Sequence, residues 1–93
     1  MTAATLDAAF RIPDDVIFRE LDGEAVVLNL DTGIYFGLDA VGTRIWRLLE
    51  ERKPLKTVLE TLVDEYDAPP ERLRNDLLAF VERLSGKGLL SLG

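Results

Sequence analysis

The sequence predicts an α+β domain in which a three-stranded antiparallel sheet is followed by three helices, in the order βββααα. Three observations carry that expectation. Residues 16–38 alternate apolar and polar side chains in short runs punctuated by Asp-Gly and Asp-Thr-Gly, the pattern of half-buried strands joined by tight turns. From residue 41 the apolar spacing becomes helical and stays so to about residue 85, with side chains recurring on one face every three or four positions. Pro54, Pro69 and Pro70 divide that stretch, because proline fits a first helical turn and breaks a helix interior.

Residues 1–11 are expected to be a flexible N-terminal tail, closed by Pro13 to Asp15, and residues 12–93 a single domain. Val16 to Leu21 alternates as a first strand, and Asp22-Gly23 then reads as a hairpin turn whose central residues need positive φ. Glu24 to Leu30 is the second strand, with Val26, Leu28 and Leu30 on one face. Asp31-Thr32-Gly33 makes the next turn and Gly33 to Leu38 the third strand. Its alternation separates Ile34, Phe36 and Leu38 from Tyr35 and Gly37. The simplest topology is a meander with the second strand in the middle.

Asp39 is positioned to cap the first helix, in which Val41, Ile45, Leu48 and Leu49 recur at helical spacing to about Arg52. Gly42 in its first turn lets another element approach closely. Trp46 lies off the centre of that stripe and is available to cover the sheet. After Lys53-Pro54, the residues Leu55, Val58, Leu59, Leu62, Val63 and Tyr66 trace a second helix. Asp67-Ala68-Pro69-Pro70 ends it and starts a third, whose stripe is Leu73, Leu77, Phe80 and Leu84 and which Gly86 and Gly88 terminate. Leu89 to Leu92 then forms an extended tail against the core. The helix pair about residues 67–70 suits a winged helix-turn-helix-like arrangement.

Composition removes most chemistry. The 93 residues contain no Cys and no His, so thiol nucleophiles, imidazole bases, disulfides and ordinary zinc sites are excluded. No cofactor or metal site is expected. Asp64, Glu65 and Asp67 cluster at a helix end, but without a companion base or ligand they read as a solvated acidic face. Gly33, Gly37 and Gly42 are too far apart to cradle a phosphate. There is no signal-like start and no apolar run of about 20 residues, so a cytoplasmic chain with no membrane partner is expected. Arg72, Arg74, Arg83 and Lys87 would suit a DNA-reading helix, yet Glu71, Asp76 and Glu82 interrupt them and the net charge is −6. No nucleic-acid partner is therefore expected, as duplex binding needs an unbroken basic surface.

The third strand holds the sharper hypothesis. Gly33-Ile34-Tyr35-Phe36-Gly37 contains no Pro, no Lys and no charge, the devices that usually protect a sheet edge. An edge left open could accept an extended peptide as a further strand. Alternatively, the third helix or the tail at Leu89 to Leu92 covers it. Leu78 and Val81, on the flank of the third helix's stripe, either finish the core or mark a second contact.

Two stretches, LNLDTGIYFGLDAVGTRIWRLLE and LVDEYDAPPERLRNDLLAFVERLSGKGLL, carry a resemblance. Their strand-turn-strand L-N-x-x-T-G-x-Y, helix start G-x-x-I-W, E-Y-D before a proline-rich helix start and closing K-G-L-L resemble the PqqD-like family, whose domains are RiPP recognition elements. Within it the chain is most similar to the free-standing leader-peptide-binding members of split lasso-peptide biosynthesis, over about Ile12 to Leu92. The resemblance implies a non-catalytic accessory protein that takes the leader region of a precursor peptide as a strand beside the third strand, in a groove against the third helix. It puts main-chain pairing on Ile34, Tyr35, Phe36 and Gly37 and side-chain contacts on Arg74, Leu77, Leu78 and Val81. It also implies presentation of the leader to a separate leader-cleaving cysteine protease. A winged-helix DNA-binding regulator and a protein–protein adaptor are the alternative functions.

Overall fold

The computed structural model describes residues 6–22 and 24–92. Strands β1 (Phe10–Arg11), β2 (Val16–Leu21), β3 (Glu24–Asn29) and β4 (Tyr35–Leu38) precede helices α1 (Ala40–Glu50), α2 (Leu55–Glu65) and α3 (Pro70–Gly86), and β5 (Ser91–Leu92) closes the order. The antiparallel sheet runs β2-β3-β4, with β3 in the middle as expected. A short β1-β5 ribbon is added to it.

Asp22 takes a positive φ of 52°, as the first central position of the expected hairpin turn requires; Gly23 lies outside the described residues. The β3–β4 connection is longer than the pattern suggests, since β3 ends at Asn29 rather than Leu30 and the third strand begins at Tyr35 rather than Gly33. Gly33 sits at φ 77° and its N–H donates to Asn29 O at 2.8 Å, while Asn29 N–H donates to Ile34 O at 2.8 Å. One β3 residue thus faces two residues across the turn, the bulge that a left-handed glycine permits.

Among the described residues Asn29 is the polar side chain buried in the core, 8% exposed. Its Oδ1 accepts from the N–H groups of Asp31 and Thr32 at 2.8 and 3.1 Å, and its Nδ2 donates to Gly88 O at 2.9 Å. The side chain therefore ties the β3–β4 turn to the turn after α3, and every bond it makes replaces one to water. Asn29→Ala leaves two turns without these bonds. Its expected cost is about 2–3 kcal/mol, a fall in melting temperature of roughly 10–15 °C for a domain of this size. A fall under about 5 °C in thermal unfolding would show that the two turns hold without the amide.

Val16, Phe18, Ala25, Val27, Phe36 and Leu38 turn toward the helices, while Val26, Leu28 and Leu30 share the opposite face, with Leu30 60% exposed. Behind the sheet the core is built from Ile45, Trp46, Leu48 and Leu49 of α1, Leu55, Val58 and Leu62 of α2, and Leu73, Leu77, Val81 and Leu84 of α3. Trp46 is fully inside it. Arg44 on α1 forks onto Glu65 at the end of α2, with Nε donating to Oε1 at 2.8 Å. That hydrogen bond holds the Glu65 carboxyl below the usual carboxylate range. Among the described residues no helix is long and apolar enough to cross a membrane.

Of the tail expected over residues 1–11, residues 1–5 lie outside the described residues, and from Leu6 the chain is packed against the domain. Phe10 is 3% exposed in the core, and Phe10 and Arg11 pair with Leu92 and Ser91. The cause lies at α2, whose N-cap is Pro54 and has no side-chain cap. Its Leu55 and Lys56 N–H groups donate instead to Ala8 O and Leu6 O at 2.9 and 2.8 Å. The residues expected to be a tail thus satisfy the open end of a helix, which must find acceptors somewhere.

Candidate functional site

Main-chain direction along β4 follows from two hydrogen bonds. Leu30 N–H donates to Asp15 O on the β2 side, and Asn29 N–H donates to Ile34 O on the β4 side. In an antiparallel ladder the residues that exchange bonds alternate. With Val27 opposite Phe36 and Ala25 opposite Leu38, Phe36 and Leu38 turn their main-chain groups toward β3. Tyr35 and Gly37 turn theirs outward. Beyond β4 no further strand is paired among the described residues; the tail expected as one possible cover pairs with β1 instead.

Beside this open edge lies a cleft of about 210 Å3 lined by Phe36, Gly37, Leu38 and Asp39 from the end of the sheet and by Phe80 and Arg83 from α3. The Phe36 and Phe80 rings meet edge to face with centroids 6.3 Å apart and planes at 71°, a favoured aromatic arrangement. The Arg83 guanidinium carbon stands 6.0 Å from the Phe36 centroid. Asp39 caps α1, its Oδ1 accepting from Gly42 N–H at 2.7 Å, next to the positive end of the helix. Gly42 is where another element comes close: a Cβ there would lie 3.1 Å from Asp39 Oδ1 and 3.2 Å from Phe80 Cε1. Glycine at 42 therefore lets the Phe80 ring form the cleft wall.

The named residues divide sharply when placed on this geometry. Phe36 and Gly37 line the cleft, and Tyr35, 69% exposed, stands on the open edge. Ile34 is 41% exposed, but its O accepts from Asn29 and its N–H donates to Thr32 Oγ1 at 3.2 Å. Its main chain is thus already occupied. Leu77 and Val81 are 0% exposed, core residues rather than groove contacts. Arg74 and Leu78 lie on the far flank of α3, since Leu78 is five positions from Arg83 and so about 140° away around the helix. The flank beside β4 carries Phe80 and Arg83. In the sequence Phe80 belongs to the apolar stripe and Arg83 to a basic set; the small residue Gly42 is the signal that another element docks there.

This arrangement offers outward main-chain donors and acceptors beside an aromatic cleft with one cation at its wall. It suits recognition of an extended chain. The family model for coenzyme PQQ synthesis protein D (PqqD) matches residues 24–90. The structure of TbiB1 in complex with the TbiA(beta) leader peptide is similar to this chain at 44% identity and a TM-score of 0.80, over 86% of this chain and 93% of that one. A lasso peptide synthetase B1 complexed with the leader peptide has a TM-score of 0.80 at 23% identity, over 87% of this chain and 95% of that one, a likeness of fold. No curated protein matches the chain.

Proposed function

Since the chain belongs to the PqqD family, as a RiPP recognition element, we propose that it binds the leader segment of a ribosomally made precursor peptide by strand addition to β4. The observation that carries this reading is the β4 edge, on which no further strand is paired among the described residues, with Tyr35 and Gly37 turned outward beside the Phe36–Phe80 cleft. Support comes from TbiB1, which is 44% identical and is solved with a leader peptide. An incoming strand places alternate side chains toward the cleft, so the sheet edge supplies affinity and the cleft selects among sequences.

The chain has no Cys or His to cleave what it binds. It acts as an accessory carrier that presents the leader to a separate leader-cleaving cysteine protease of lasso-peptide maturation, in the cytoplasm. Arg74, Leu77, Leu78 and Val81 leave this proposed site and Phe80 and Arg83 enter it.

A fluorescently labelled synthetic leader, from the precursor encoded beside this protein, is titrated with the domain and followed by anisotropy, with labelled duplex DNA as control. Saturable leader binding at submicromolar concentration is expected, beyond about −8 kcal/mol after the cost of ordering a disordered segment. A leader that fails to bind at tens of micromolar, or a duplex that binds instead, overturns the reading.

A further inference from the structure

We infer that Arg83 selects the charge of one leader side chain, so that a residue entering the cleft between β4 and α3 is acidic. This rests on the leader-binding reading and deepens it. The cleft is part aromatic and part charged: the edge-to-face rings of Phe36 and Phe80 line it together with Gly37, Leu38, Asp39 and Arg83, and Arg83 stands over Phe36 at 6.0 Å.

Among the described residues Arg83 makes no hydrogen bond and no ion pair. Arg44 pairs with Glu65, Arg47 with Glu20 and Glu50, Lys53 with Glu51, and Arg72 with Asp76. Arg11, Arg19, Arg52 and Arg74 likewise make no ion pair among the described residues, but of these arginines only Arg83 lines the cleft beside β4. Asp39 shares the cleft but is no ion-pair partner of Arg83, and its Oδ1 is given to Gly42 N–H.

While the cleft is open, water solvates the guanidinium. A strand added at Tyr35 and Gly37 displaces part of that water, and a desolvated cation without a partner is costly. A carboxylate meets the planar fork of arginine with two parallel hydrogen bonds, which a neutral side chain does not match. Side chains on one face of a strand recur every second residue. The recognised leader segment therefore carries an acidic residue two positions from an apolar one, the apolar side chain against Phe36 and Phe80 and the acidic one at Arg83. Because the domain is acidic overall, this pair sets register and choice of leader more than it speeds association.

Arg83 also lies in the last turn of α3, where a cation is favourable whether or not a leader binds, so the test reads binding and stability separately. Each Asp and Glu of the synthetic leader is changed singly to its amide, and the set is titrated against the wild-type domain and Arg83→Gln. At one position the amide is expected to weaken binding to wild type by about tenfold and binding to Arg83→Gln by less than about twofold. Arg83 is exposed, so its variant keeps the buried emission of Trp46, the sole tryptophan. A leader that binds wild type with no position dependent on Arg83 overturns this inference alone. An unmodified leader that does not bind wild type overturns the leader reading and this inference with it.

Discussion

Leu77→Asp is expected to leave the chain unfolded at 25 °C, with loss of helical circular dichroism and a red shift of Trp46 emission. Leu77 is 0% exposed and packs in the common core with Val81 and Leu84 on α3. Removing a buried leucine side chain costs about 2–5 kcal/mol, and an unpaired carboxylate in its place adds several more. A domain of this length has a total stability of roughly 5–10 kcal/mol, so the substitution consumes most or all of it. Arg74→Glu is the matching control on the exposed far flank of the same helix. It should keep the fold and change leader affinity by less than about threefold, as a screened surface charge away from the contact does. A folded Leu77→Asp domain that has lost leader binding would restore Leu77 to the groove and overturn the flank assigned to α3.

The second large effect is on binding with the fold kept. In Gly37→Pro the ring replaces the outward N–H of β4 and occupies the edge an added strand would use. The ladder to β3 runs through Phe36 and Leu38, and proline is accepted in an edge strand where its nitrogen faces away from the sheet. The residue before it, Phe36, is already extended, as proline requires. The melting temperature should therefore move by no more than about 5 °C. Leader affinity should fall at least about a hundredfold, roughly 3 kcal/mol, from one lost hydrogen bond and the exclusion of the strand by the ring. Phe36→Pro has the opposite signature, because it breaks the β3–β4 ladder and destabilises the domain itself. Gly37→Pro that binds leader like wild type would rule out strand addition at β4.

Half of the candidate site is legible in the sequence. The uncharged edge Tyr35-Phe36-Gly37 was readable because an absence of Lys and Pro is a local fact, and Asp39 was readable as a cap because its partner Gly42 is three residues away. The flank of α3 was not readable. Its apolar stripe is wide, with Leu73, Leu77, Phe80, Val81 and Leu84 covering more than one surface, and a helix wheel ranks such residues by angle without saying which angle meets the sheet. The packing of residues 6–11 is illegible for a similar reason, since the Leu6 and Ala8 carbonyls cap α2 across a gap of more than 40 positions that no short-range pattern spans.

Alternation, turns and prolines are enough to specify three strands and three helices, and the absence of Cys and His removes catalysis by those groups. Each of these is a property of neighbouring residues or of composition. Long-range packing settles which β4 groups face outward, that Phe80 and Arg83 line the cleft beside the edge, and that the tail at Ser91–Leu92 pairs with β1, so that among the described residues no strand covers β4. Those outcomes depend on long-range packing: the close approach that Gly42 allows to Phe80, the acceptors α2 finds at Leu6 and Ala8, and the Asn29 amide that joins two turns. A one-residue change of register or a rotation of α3 would reverse them without altering any local preference.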